Sequence, residues 1–267
     1  MSSFSGWGGS TVREFEITPE KKIALREITS TEGDLGYRTW GSAMSLSKKI
    51  VDQEIQVKGK KVLELGSGTG LCGLVAAACD AASVLLTDYH ENLIDLCRES
   101  IRLNRLDAIA SSDRLDWARL EEHEGGRFQT IIGSDIVYEL FHATQVPKVV
   151  RHFLMEDGEF VVAIPTRNKM SGDVTVFEEH MKTNGFHKRV LRVHIGRSNG
   201  GVVKPSLLFE CLAFALSVRV RRKPTTFFAL EKKIRRNKER RNTNGTHTPR
   251  ESDRLASSDL EDGLPRI

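Results

Sequence analysis

Residues 62–73 read VLELGSGTGLCG. An apolar run ends at Glu64-Leu65, Gly66, Gly68 and Gly70 follow, and a helical pattern starts at once. Glycines at a strand-to-helix turn let backbone approach a ligand closely and tolerate positive φ. The helix start then offers free N–H groups to an anion. The natural occupant is a nucleotide-type ligand at the carboxyl end of the first strand; a plain tight turn is the alternative. The spacing narrows the choice. A dinucleotide fingerprint would need glycine at 71, where Leu71 stands, and no Gly-Lys-Ser/Thr follows to make a P-loop. With no pyrophosphate to wrap, the loop suits a carboxypropyl tail.

Working outward, KVLEL (61–65), SVLLT (83–87), TIIGS (130–134) and FVVAI (160–164) are short and rich in Val, Ile and Leu. Such runs fit strands covered on both faces, as in a parallel sheet. Helical patterns at 70–79, 91–104, 142–154 and 173–184 separate or follow them. Strand and helix in alternation predict an α/β fold with a doubly wound, Rossmann-like sheet. The pattern changes at FHKRVLRVHI (186–195) and SLLFECLAFAL (206–216), two strand-like runs joined by a turn segment. They predict an antiparallel hairpin on the sheet edge. Upstream, Val12–Ile17 and Lys22–Ile28 alternate apolar and charged residues, which suits an edge hairpin more than a core strand. A helix is expected from near Thr39 or Ser42. The expected organisation is an N-terminal extension (1–38), one domain (39–218) and a tail (219–267).

Composition sets the class. The chain has 267 residues, 39% of them hydrophobic, and no run approaches the ~18 apolar residues of a membrane span. Met1 to Ser10 is polar and Gly-rich, unlike a signal peptide. A soluble, cytoplasmic protein is the expectation. Cys72, Cys79, Cys97 and Cys211 form no Cys-x-x-Cys pair and no zinc-ligand spacing, so no metal is expected. Cys72 and Cys79 are seven apart, suited to one buried helix face. Between Arg219 and Arg241 lie eleven Lys/Arg and two Glu, a local +9 that leaves the remainder at −5 against the total of +4. The body is thus mildly acidic, and nucleic acid is not an expected partner of the folded domain. The final stretch, from about 231, is too polar to offset its ordering entropy and is expected to be largely disordered. Its KKIRRNKERR reads as a nuclear localisation signal, an attachment site for an acidic partner, or a solvated tail.

A second element sharpens the ligand. Asp88 ends the next strand, twenty-two residues after Gly66. An acid there is placed to bind ribose hydroxyls, or else it caps the helix beginning near Glu91.

Five segments come in one order: TWGSAMSLS (39–47), VLELGSGTGLCGLVAA (62–77), LLTDYHENL (85–93), RLDWA (114–118) and IIGSDIVYE (131–139). Together they resemble the seven-β-strand methyltransferases of family 16, many of which methylate lysine in proteins. The resemblance spans roughly 35–215, and Asp135-Ile136-Val137-Tyr138 matches the family's D-x-x-Y signature. It implies strand order 3-2-1-4-5-7-6 and S-adenosylmethionine as cofactor. It also implies a cofactor site at Trp40, Gly66, Ser67, Gly68, Asp88, Trp117 and Ser134, with Gly70 of the same turn beside them. Trp117 would pack on adenine and Trp40 would close over the methionine end, unless either is simply core. Asp135 and Tyr138 stand where the methyl group should lie and would orient the acceptor amine; the alternative is a helix cap and a packed ring. The chain departs from the family pattern at Trp40-Gly41, where Trp-Pro is common, and at Ala118-Arg119, where glycine is common. These departures bear on loop rigidity and on the adenine pocket.

The leading reading is a monomeric enzyme that methylates lysine in a protein substrate. The alternatives are methylation of a small nitrogen compound or another side chain, and a cofactor-binding interaction module without turnover. Base methylation rests on the basic tail alone, because no Asn-Pro-Pro-Tyr-like tetrapeptide is present.

Overall fold

The computed structural model describes residues 10–19, 21–28, 35–123, 126–165 and 171–186. In chain order the elements are β1 (Ser10–Thr18), β2 (Lys21–Ile28), α1 (Gly41–Val51), β3 (Lys61–Leu65), α2 (Leu71–Ala78), β4 (Ser83–Asp88), α3 (Glu91–Leu103), β5 (Ala110–Arg114), β6 (Phe128–Ser134), α4 (Leu140–Phe153), β7 (Leu154–Ala163) and α5 (Ser171–Thr183). Strands β3 to β7 form one parallel sheet in the order β5-β4-β3-β6-β7. The α/β alternation read from the sequence is therefore present. The two strand-like runs at 186–195 and 206–216 fall outside the described residues, apart from Phe186. So do Cys211 and everything from 219 onward.

Two cores sandwich this sheet, and strand period decides which residue enters which. Val62, Val84, Leu86, Ile132 and Val161 face a core completed by α1, α2 and α3. Leu63, Leu65, Ile131, Phe160 and Val162 face the other, closed by α4 and α5. Successive side chains of a strand point to opposite faces, so a strand covered on both sides needs apolar residues at nearly every position. KVLEL meets that demand except at Glu64, which is nevertheless 1% exposed.

The N-terminal strands correct one expectation. β1 and β2 do pair antiparallel, but as a separate two-stranded sheet, not along an edge of the main one. Phe15, Ile23 and Leu25 are buried in the same core as α1, α2 and α3. The strand is fastened to α3 by Asn104, whose Oδ1 accepts the Ala24 N–H at 2.9 Å and whose Nδ2 donates to the Ala24 carbonyl at 2.7 Å. One side-chain amide thus satisfies both backbone groups of an edge residue, which would otherwise be a liability.

The thiols divide as well. Cys72 and Cys97 are buried, while Cys79 ends α2 half-buried. Burial pushes the Cys72 and Cys97 thiols well above their ordinary value, so they behave as packing groups.

Candidate active site

A cleft of about 820 Å³ opens at the carboxyl ends of β3, β4 and β6, where the sheet order turns away from β3 in both directions. Open parallel sheets bind ligands at such a switch point, and the volume suits a nucleoside-sized molecule. Trp40, Gly66, Ser67, Gly68, Asp88, Trp117, Ser134, Asp135 and Tyr138 all line it.

The glycine turn forms its floor. Gly68 has φ +52, and a methyl group there would meet the Gly36 carbonyl oxygen at 3.0 Å. The 3-10 turn Leu35–Tyr37 thus lies directly across the loop. Gly70 stands apart from the expectation. It takes φ +84 as the residue before α2, but it does not line the cleft. A methyl group on Gly70 would press on Leu86 and Cys97, so this glycine serves packing against β4 and α3. Ser67 is buried, and its hydroxyl donates to the Thr87 carbonyl at 3.1 Å, tying the loop to the end of β4.

Asp88 lines the cleft and holds the adjoining backbone. Its Oδ1 accepts the Tyr89 N–H at 2.7 Å and the His90 N–H at 3.3 Å, and its Oδ2 accepts the Gly68 N–H at 3.0 Å. A carboxylate offers about four acceptor positions, so one on Oδ2 is left for a ligand hydroxyl. The residue preceding α3 is His90, without a side-chain cap. Asp88 therefore braces the turn before the helix while facing the cleft. Burial raises its pKa, and the three backbone donors pull it back down. Asp88→Ala should weaken cofactor binding about ten- to hundredfold, as expected for losing a ~1.5–3 kcal/mol bond to a charged group. Calorimetry with the folded variant measures this; unchanged affinity would remove Asp88 from the cofactor site.

The two tryptophans lie on different walls. Trp117 follows β5 and sits beside the glycine turn, for a methyl on Gly66 would come within 3.7 Å of its Cη2. Trp40 precedes α1 and is 40% exposed, with the Arg38 guanidinium 6.0 Å from its ring. Its neighbour Thr39 is held by a 2.8 Å hydroxyl contact to Thr69 of the glycine loop and by a 3.2 Å bond from its N–H to Glu27. Trp117 is partly buried and packs against the core closed by α4 and α5 while also lining the cleft, whereas Trp40 is exposed.

Asp135 and Tyr138 occupy the turn between β6 and α4. Asp135 takes φ +56, a strained left-handed conformation that aspartate tolerates better than most residues. Its N–H donates to the Ala163 carbonyl at 2.8 Å, which pins the turn to β7. The residue before α4 is Glu139, so Asp135 is not its cap. Tyr138 is 38% exposed, with its ring against His142 in the first turn of α4.

Several cleft residues are not singled out in the sequence, and His142 is the one with the most ring contacts among them. His142, in the first turn of α4, lines the cleft with its ring 4.3 Å from that of Tyr138 and 5.7 Å from that of Trp117. Trp117 and Tyr138 stand in recognisable motifs, but nothing in the sequence marks the histidine that touches both.

Comparison with known proteins follows this geometry. A family model described as lysine methyltransferase matches residues 18–183. The chain belongs to this lysine methyltransferase family. The match takes in β2 and the whole parallel sheet. The protein-lysine N-methyltransferase rrg1 of Schizosaccharomyces pombe is 32% identical over 72% of this chain and 67% of its own length. The protein-lysine N-methyltransferase EFM2 of Saccharomyces cerevisiae is 29% identical over 73% of this chain. The chain spans only 52% of that relative's length. In fold, it is similar to an SAM-dependent methyltransferase from Agrobacterium tumefaciens, with TM-score 0.53 and 18% identity over 80% of this chain and 72% of that one. As a member of the family, the chain is an S-adenosylmethionine-dependent methyltransferase. The cleft fits that cofactor: a glycine turn, a carboxylate with one acceptor position left and an indole beside it suit the tail, ribose and base in turn.

Proposed function

We propose that the protein methylates the side-chain amine of a lysine in a protein substrate, using S-adenosylmethionine. The observation that carries this reading is that a single cleft is lined by the glycine turn, Asp88, Asp135 and Tyr138 together. The names of the yeast relatives point to the same acceptor.

S-adenosylmethionine supplies an electrophilic methyl group on a sulfonium. The residues supply placement. Gly66, Ser67 and Gly68 hold the amino-acid tail, Asp88 takes a ribose hydroxyl, Trp117 covers the base, Trp40 closes over the methionine end and Ser134 borders the methyl. Asp135 and Tyr138 orient the incoming ammonium and favour loss of its proton to water, because free lysine has a pKa of about 10.4 and attacks only when neutral. Alignment and exclusion of water then lower the barrier of an in-line displacement that needs no covalent enzyme intermediate.

We also infer that 186–195 and 206–216 complete a seven-strand sheet in the order 3-2-1-4-5-7-6, of which the described strands supply 3-2-1-4-5. The protein acts as a cytoplasmic monomer, with KKIRRNKERR as a route to the nucleus.

The deciding experiment incubates the protein with labelled S-adenosylmethionine and a cell lysate, then maps the label by mass spectrometry. Label on lysine of a protein supports the reading. Label on a small molecule or another side chain overturns the acceptor, and cofactor binding without any transfer overturns the enzyme in favour of a binding module.

A further inference from the structure

His142 touches three other aromatic rings that line the cleft. Its ring lies 4.3 Å from Tyr138, tilted by 58°, and meets Trp117 edge-on at 5.7 Å and Phe141 edge-on at 5.8 Å. Tyr138 belongs to the acceptor end and Trp117 to the base end, and they come from segments on opposite sides of β6 in the chain. The imidazole touches both rings and so links the two segments. We infer that His142 is a positioning residue, whose ring sets Tyr138 and Trp117 in register so that the acceptor amine and the cofactor meet in line. This inference rests on the reading of Asp135 and Tyr138 as the acceptor end.

The surroundings support an aromatic role over an acid–base one. His142 Nδ1 is sealed from solvent and has no hydrogen-bond partner among the described residues. An Nδ1–H there would be a donor without an acceptor, so the neutral ring carries its proton on Nε2. Burial lowers the pKa of His142, outweighing Glu139 before α4 and Asp173 on α5, which both raise it. The ring is therefore neutral near pH 7, as suits a group beside a sulfonium and an ammonium, where another positive charge would repel both. It holds its neighbours by edge and face contacts alone. Such pairs are geometrically specific, preferring edge-to-face or offset arrangements.

The test compares three substitutions, His142→Ala, His142→Phe and His142→Asn, by melting temperature, by calorimetric affinity for S-adenosylhomocysteine and by kcat and KM for labelled S-adenosylmethionine with lysate protein as acceptor. A lost aromatic pair corresponds to about two- to tenfold in equilibrium. His142→Ala and His142→Asn should therefore bind the cofactor product up to about tenfold more weakly and lose kcat by a similar or larger factor. His142→Phe restores the ring contacts and removes the sealed nitrogen, so it should recover wild-type affinity and kcat. It should also raise the melting temperature by a few degrees, since an unsatisfied buried polar atom is costly. If His142→Phe is as impaired as His142→Ala, a ring nitrogen acts chemically and the positioning role is overturned. Wild-type behaviour of His142→Ala overturns it as well. Should His142→Ala fail to fold, the contrast between Phe and Asn still decides. The affinity arm uses no acceptor, so it stands apart from whether lysine is the residue methylated.

Discussion

Asp135→Asn is expected to lower kcat about a hundredfold or more while leaving cofactor affinity and melting temperature near their wild-type values. The substitution is unusually clean because of where the residue sits. Asp135 has φ +56, and asparagine is as well suited to the left-handed region as aspartate, so the turn after β6 keeps its shape. Its backbone bond to the Ala163 carbonyl also survives, since only the side chain changes. What disappears is the negative charge beside Tyr138. A positioned group that assists proton loss contributes roughly 10²- to 10⁴-fold. Because that help is realised on the way to the transition state, kcat and kcat/KM should fall together. Asp135→Ala makes the control: it loses the same charge and also the short polar side chain that makes the left-handed turn tolerable, so it should cost some stability as well. Steady-state kinetics with the acceptor identified by labelling gives the answer. Normal turnover of Asp135→Asn would leave Asp135 with the turn alone.

That the turn could be singled out at all reflects how local its signal is. Gly66 to Leu71 and Asp135 to Tyr138 are each a strand end followed by a helix start, and the chain writes such junctions within a few residues. The same holds for Asp88. Gly70 shows the limit: all three glycines take positive φ, and only contacts from β4 and α3 reveal that the third faces Leu86 and Cys97 instead of the cleft. β5 is not an apolar run: Ala-Ser-Ser-Asp-Arg has one buried position, Ala110. It is a strand because β4 supplies the ladder, from Val84 opposite Ala110 to Asp88 opposite Arg114, and because the Ser112 hydroxyl donates to the Ile94 carbonyl on α3. Edge position, not sequence preference, makes it one.

The N-terminal hairpin was legible, but where it packs and what His142 touches were not, for a further reason. Phe15, Ile23 and Leu25 alternate as strand residues should, yet which surface they cover depends on how α1, α2 and α3 assemble. His142 sits in an ordinary amphipathic helix, and its value comes from Trp117, twenty-five residues earlier. A periodicity cannot report a contact of that kind.

Glu64 gives the second large effect, on stability instead of turnover. It lies inside β3, 1% exposed, and its Oε2 accepts the Gly73 N–H of the first turn of α2 at 2.9 Å. A helix start favours a negative charge, and that bond lowers the pKa. Desolvation is larger and runs the other way, with the charge of Asp88 adding to it, so the Glu64 carboxyl is pushed up from 4.5 to about 8. The folded protein thus holds a proton that the unfolded chain gives up near pH 4.5. Stability from this group is complete below the unfolded value, declines as pH rises through the window from 4.5 to about 8, and is gone above it. The slope inside the window is about 1.4 kcal/mol per pH unit, which makes the whole effect on the order of several kcal/mol. Glu64→Gln should abolish that slope. Its carbonyl oxygen can still accept the Gly73 N–H, and its amide donates where the protonated carboxyl would, without any charge to desolvate. Denaturant unfolding of wild type and Glu64→Gln at pH 5, 7 and 9 measures the difference. The variant should match the wild type near pH 5, exceed it at pH 7 and by the full amount once the pH is above about 8, and parallel curves across that range would show that Glu64 is ionised in the folded protein.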